Sequence, residues 1–228
     1  MKQIAVILSG SGVYDGSEIQ EAVFTLLAIA QHNAKAVCYA PDVDQHHVIN
    51  HLTGNEMTET RNTLVEAARI ARGDIKSLDT FNATELDALV IPGGFGAAKN
   101  LTKWAFNGPA GEINPGVKNA IESMVKSNKP ICGLCMGPTV IAKALEHTNI
   151  NLHVTVGTTA EKSPYDIAAI SGGVNATGAV AEMKSVREIC VDEKNKIVTA
   201  PCYMMEAGIV EVKNNIDKAI DQLFSFIK

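Results

Sequence analysis

The chain has 228 residues, a hydrophobic fraction of 46% and a formal net charge of −5. That length suits a single α/β domain over residues 1–228, apolar enough to bury a core without metals or disulfide staples. The mild acidity and the lack of a Lys/Arg cluster argue against nucleic acid or a membrane as main partner, and no apolar stretch reaches the roughly 20 residues that span a bilayer.

Ile4 to Leu8 is a continuous apolar run ending in glycines and reads as a buried first strand. Ser17 to Gln31 carries Ile19, Val23, Leu26, Leu27 and Ala30 at helical spacing, the stripe of a first helix. Asp15 to Glu18 looks like its capping box, with Asp15 as the cap and Glu18 at the third helical position. Ala36 to Ala40 is a second strand. Residues 43–57 are a polar excursion, and a helix from Thr60 to Ala71 follows, with Thr58 or Thr60 as cap and Gly73 as stop.

Leu86 to Ile91 is a strand that ends in Pro92-Gly93-Gly94-Phe95-Gly96. A helix from Pro115 to Ser127 leads into a short strand, Pro130 to Leu134, and Thr139 to Leu145 is helical again. Later strands fall near Leu152 to Val156, Glu188 to Val191 and Lys196 to Ala200, the last two joined by a hairpin turn at Asp192 to Asn195. A final amphipathic helix covers Val210 to Ile227. Short buried strands alternating with helices predict a mostly parallel sheet with helices on both faces. Such sheets carry their sites at the carboxyl ends of the strands, so the loops Ser9–Gly16, Pro92–Gly96 and Gly133–Gly137 converge.

Cys135 is the leading candidate for chemistry. Ile131 to Thr139 reads as strand, tight turn and helix start, a nucleophile elbow that lifts the thiol to a helix N-terminus where a thiolate is favoured. The N–H groups of Met136 and Gly94 are placed to hold an oxyanion, and Gly12, Gly93 and Gly137 to leave room at the pocket. Against this stands the common fate of cysteine as a buried core residue. Glu18 lies on the same rim and is the candidate proton carrier, beside its simpler role in the capping box.

Five cysteines, Cys38, Cys132, Cys135, Cys190 and Cys202, have no disulfide-framework spacing and read as reduced, which suits a cytoplasmic protein. Cys132 and Cys135 form a C-x-x-C pair with no second ligand pair for zinc, and His46, His47 and His51 read as surface residues, so no metal is assigned. The Gly10-Ser11-Gly12 loop matches a dinucleotide fingerprint only in part, with its last glycine one place late. No G-x-S-x-G occurs. Pro201 to Met205 reads as packing or pocket lining.

The stretches VILSGSGVYDGSEIQEAV (6–23), INHLTGNEMTETRNTLVEAARIARG (49–73), ELDALVIPGGFGAAKNL (85–101) and VDEKNKIVTAPCYM (191–204) resemble the ElbB family, the enhancing lycopene biosynthesis proteins. That family sits in the PfpI-type, class I glutamine amidotransferase-like superfamily. The resemblance implies a flavodoxin-like three-layer sandwich, with Cys135 as nucleophile, Glu18 as the acid that contacts it and Gly94 as an oxyanion donor. It also implies a homodimer and a cofactor-free glyoxalase-like activity that converts a small 2-oxoaldehyde to a 2-hydroxy acid. The alternative is a non-catalytic regulator that uses Cys135 as an oxidisable thiol. Two departures stand out. Val154 to Thr159 lacks the histidine common after this strand, and the Gly/Ala/Asn-rich stretch Ser171 to Gly178 is unusual for the family.

Overall fold

The first strand, β1 (Gln3–Ile7), is fully buried after its first residue, which is why its sequence shows no alternation. It lies at the centre of a computed structural model that describes residues 1–227. The other strands of the main sheet are β2 (Lys35–Ala40), β3 (Ile75–Ser77), β4 (Ala88–Ile91), β5 (Ile131–Leu134), β8 (Cys190–Asp192) and β9 (Ile197–Ala200). Their order is β3-β2-β1-β4-β5-β9-β8, parallel throughout except for β8, which pairs antiparallel with β9. The turn between those two is the expected hairpin, with Lys196 at φ +56°. A separate two-stranded parallel ribbon of β6 (His153–Val154) and β7 (Val180–Ala181) packs against β8 and β9, the His153 N–H donating to Asp192 Oδ2 at 3.0 Å.

The helices are α1 (Ile19–Gln31), α2 (Thr63–Ile70), α3 (Trp104–Asn107), α4 (Pro115–Lys126), α5 (Gly137–Ala144), α6 (Ile167–Ala176) and α7 (Ile209–Ser225). With them the sheet forms the flavodoxin-like α/β architecture that the sequence pattern predicts. From β1 the sheet grows one way through β2 and β3, and from β4 the other way through β5 and β9. The crevice beyond β1 and β4 is therefore a topological switch point, the place where open α/β sheets hold their sites. Ile4, Ile7, Leu89, Ile91, Ile131 and Leu134, all from central strands, are among the largest side chains removed fully from water.

Several boundaries differ from expectation for local reasons. Glu18 is itself the N-cap of α1, its Oε2 accepting the Glu21 N–H at 2.7 Å. Asp15 does not cap the helix; its Oδ2 accepts the Ile49 N–H at 2.6 Å and anchors the 43–57 excursion. The buried face of α1 is Glu21, Ala22, Thr25, Ala28 and Ile29, while Ile19, Val23 and Leu27 are 47%, 45% and 45% exposed. The helix therefore turns its smaller residues inward, rather than the larger apolar stripe, and α7 packs against it. On α2 the cap is Asn62, whose Oδ1 accepts the Val65 N–H at 3.1 Å, rather than Thr58 or Thr60. The stretch Ser171 to Gly178 belongs largely to α6, a helix that its glycines conceal in the sequence.

Candidate active site

Between the end of β5 at Leu134 and the start of α5 at Gly137, the chain turns through Cys135 and Met136. Cys135 takes φ +54°, a left-handed conformation that costs an L-residue about 1–2 kcal/mol. Its N–H donates to the Ala200 carbonyl at 2.9 Å, tying the elbow to the end of β9. The side chain is only 5% exposed.

Two glycine-rich loops close on this elbow. Gly96 N–H donates to Gly16 O at 2.9 Å, Phe95 N–H to Val13 O at 2.8 Å and Glu18 N–H to Gly93 O at 3.0 Å. Asn100 clamps the far side, its Nδ2 donating to Ser9 O and Asp15 O at 2.9 and 2.8 Å. Gly94 sits at φ +97°, and a Cβ there would fall on Gly16 O and Glu18 N. At Gly93 a Cβ would lie 2.5 Å from Glu21 Oε2 and 2.7 Å from Cys135 Sγ. Only glycine lets the loop backbone pass this close to the thiol.

The carboxyl at the thiol belongs to Glu21, one helical turn beyond the Glu18 expected from the sequence. Glu21 is fully buried. Its Oε1 accepts the Tyr203 N–H and its Oε2 the Gly93 N–H, both at 3.1 Å, and it hydrogen-bonds the Cys135 thiol. Burial, then the charge of Glu18, raises its pKa to about 8, against the pull of these donors. Cys135 is likewise pushed well above the ordinary thiol value, first by burial and then by the Glu21 carboxylate. The N–H groups of Gly94 and Met136 point at the sulfur and oppose that shift. The resting thiol is therefore protonated, and the thiolate expected from the helix N-terminus is outweighed by desolvation.

Glu18 lines the pocket beside Cys135, and its carboxyl is raised by burial while backbone N–H groups of its own helix hold it down. Of the other residues expected here, Gly94 and Met136 stand at the sulfur and Gly93 against it. Gly12 and Gly137 do not line the pocket. A Cβ on Gly12 would meet His51 and Asp15, and one on Gly137 would meet the Ile91 carbonyl, so both serve loop and helix packing. Cys132 is buried in β5, pointing into the core. All five cysteines are free. His153 pairs with Glu182 at 2.9 Å. His51 is bound to Tyr14 N–H and Ile49 O, and His46 packs on Phe106. Among the described residues no cluster of three or more His, Cys, Asp or Glu side chains could hold a metal.

A pocket of about 310 Å³ opens from Cys135. Beside Glu18, Gly94 and Met136, it is walled by Phe95, Trp104, Tyr165, Ile170 and Tyr203. Tyr165 packs edge-on to Phe95 at 5.7 Å between ring centroids, and its hydroxyl is raised to about 12 by burial and then by the charge on Cys135. Sequence reasoning missed Glu21, Tyr165 and the Tyr203 N–H. A signal for Glu21 existed: it shares a helix face with the small residues Ala22, Thr25 and Ala28, which are buried.

A buried cysteine on a left-handed elbow, paired with a carboxyl at the switch point of a parallel sheet, is what a class I glutamine amidotransferase-like protein presents at this position. No family model matches the chain. The human glutamine amidotransferase-like class 1 domain-containing protein 3, a mitochondrial protein, is 41% identical over 218 residues, 94% of this chain and 79% of the relative. A solved structure from Ehrlichia chaffeensis, described as an isoprenoid biosynthesis protein with an amidotransferase-like domain, is 33% identical over the full length of both chains with a TM-score of 0.90. Glyoxalase III from Candida albicans, 11% identical with a TM-score of 0.63 over 100% of this chain and 98% of that one, shares the fold. The chain belongs to the glutamine amidotransferase-like class 1 domain family, in the ElbB group that its sequence stretches resemble.

Proposed function

We propose that the protein is a cofactor-independent, glyoxalase-like enzyme that converts a 2-oxoaldehyde to a 2-hydroxy acid through Cys135. The observation that carries this reading is the thiol–carboxyl pair of Cys135 and Glu21, with two backbone N–H groups aimed at the sulfur, at the base of a pocket. The fold shared with a glyoxalase III is consistent with it.

Glu21, as carboxylate, takes the thiol proton as sulfur adds to the aldehyde carbon, and a hemithioacetal forms. The Gly94 and Met136 N–H groups stabilise the oxygen on which charge develops. Glu18, on the pocket wall, moves the proton from the former aldehyde carbon to its neighbour through an enediol, leaving a thioester of the 2-hydroxy acid. Water then cleaves the thioester and returns the thiol. The overall change is addition of one water to the oxoaldehyde.

A sensor thiol would need a low pKa and ready access to oxidant. Cys135 is little exposed and has the Glu21 carboxyl positioned to take its proton, which favours the enzymatic reading over the redox one. The exposed stripe of Ile19, Val23 and Leu27 supports a homodimer as the working form. Five free, buried cysteines suit a reducing compartment, the basis of the cytoplasmic placement, whereas the human relative is named as mitochondrial.

The test is lactate formation from methylglyoxal by wild-type, Cys135→Ala and Glu21→Gln proteins, without glutathione and with chelator present. Lactate from wild-type that falls to background in Cys135→Ala supports the reading. Wild-type production no higher than that of Cys135→Ala sinks it for this substrate.

A further inference from the structure

The pocket is larger and more apolar than a 2-oxoaldehyde as small as methylglyoxal requires. At the ~30 Å³ that a water molecule occupies in the liquid, 310 Å³ holds at least about ten heavy atoms, twice the count of methylglyoxal or more. Trp104 and Pro109 meet above Gly173 of α6, where a Cβ would stand 2.9 Å from the indole. Ala169 and Ile170 continue that wall. Among the described lining residues there is no Lys, Arg or His, and Glu18 supplies the single carboxyl. Nothing there offers a cation to a phosphate, a carboxylate or the termini of a peptide, and an ionised Glu18 would repel them.

We propose that the substrate is a neutral carbonyl compound whose reactive head sits at Cys135 and whose apolar arm, alkyl or aryl, of about six heavy atoms lies against Trp104, Pro109 and Ile170. This rests on the enzymatic reading for its head group, while the arm's binding is a separate property of the pocket. The arm determines which carbonyl compound is chosen, and Cys135 determines what happens to it. Anionic and sugar-phosphate carbonyls are poor ligands by the same argument.

Two measurements test it. The first is kcat/KM for 2-oxoaldehydes with methyl, propyl, pentyl and phenyl arms, and for one with a pentyl-length arm ending in carboxylate. Each buried methylene is expected to raise kcat/KM about fourfold until the pocket fills, with the carboxylate arm returning to the methylglyoxal value. The second needs no turnover. Trp104 is the sole tryptophan, so its emission reports arm binding. Hexanamide is expected to change it saturably, at least tenfold more tightly than acetamide or hexanoate. Ala169→Phe and Ala105→Phe, at exposed positions that a larger residue can occupy without disturbing the core, are expected to abolish the preference for the longer arm.

Turnover of methylglyoxal with no gain from longer arms, together with equal binding of hexanamide and acetamide, overturns the arm and leaves the enzymatic reading standing. Tight hexanamide binding without hydroxy-acid formation from any oxoaldehyde keeps the arm site and removes the glyoxalase reading. Hexanoate binding as tightly as hexanamide overturns the claim of a neutral ligand.

Discussion

The two ends of the pocket are built differently. At the sulfur, each atom is held several times over: Cys135 is tied to Ala200, Glu21 accepts two backbone N–H groups, and Gly93 and Gly94 leave no space for a side chain. These restraints come from α1 and from the carboxyl ends of β4, β5 and β9. The opposite wall is assembled from α3, α6 and the turn at Gly108–Ala110, short elements outside the main sheet that offer surface rather than hydrogen bonds. The difference teaches where change is tolerated. Chemistry sits on over-determined backbone, and selectivity sits on elements that can be resized without moving the thiol.

Substitutions at the sulfur end break the comparison hardest. Cys135→Ala is expected to lower hydroxy-acid formation by about 10³-fold or more with little loss of folded protein, checked by steady-state kinetics beside thermal melting. Glu21→Gln comes next, at about 10²-fold, because it removes the proton acceptor from the thiol. Its signature is the pH profile. With Glu21 at about 8, wild-type kcat/KM rises tenfold per pH unit on the acid side and levels above pH 8, whereas the variant shows no such limb.

Glu18→Gln is expected to cost about tenfold in activity with little change in stability, because the amide oxygen can still accept the Glu21 N–H. The two carboxyls are thereby separated: if Glu18→Gln proves worse than Glu21→Gln, the assignment of the thiol's base to Glu21 is wrong. A further test is stability against pH. Glu21 binds its proton more tightly in the folded chain, so its contribution is fully present below about pH 4.5 and is lost as pH rises through about 8. Denaturant midpoints between pH 5 and 8 should therefore fall in wild-type and stay level in Glu21→Gln, once other titrations common to both are subtracted.

Much of this was legible in the residues themselves. The runs Ile4–Leu8 and Leu86–Ile91 announced buried parallel strands because they are apolar without alternation, and Pro92-Gly93-Gly94 and Gly133-Leu134-Cys135 announced tight turns at the ends of strands. The elbow could be placed at Cys135 because a short strand, small residues and a helix start follow one another there. The choice between Glu18 and Glu21 could not be read this way. The apolar stripe of α1 implied that Ile19, Val23 and Leu27 faced inward, but the helix buries Ala22, Thr25, Ala28 and Ile29 instead, and the same face brings Glu21 to the sulfur.

By itself, then, the sequence determined the strand pattern, the loops that meet at the switch point and the cysteine at their centre. Those depend on local backbone preferences and on runs of burial a few residues long. Only the tertiary structure decided which carboxyl touches the thiol, that the thiol rests protonated, and that α6 with Trp104 closes an apolar pocket over it. Helix rotation and desolvation are set by what packs against an element from distant parts of the chain, and no local spacing of residues carries that information.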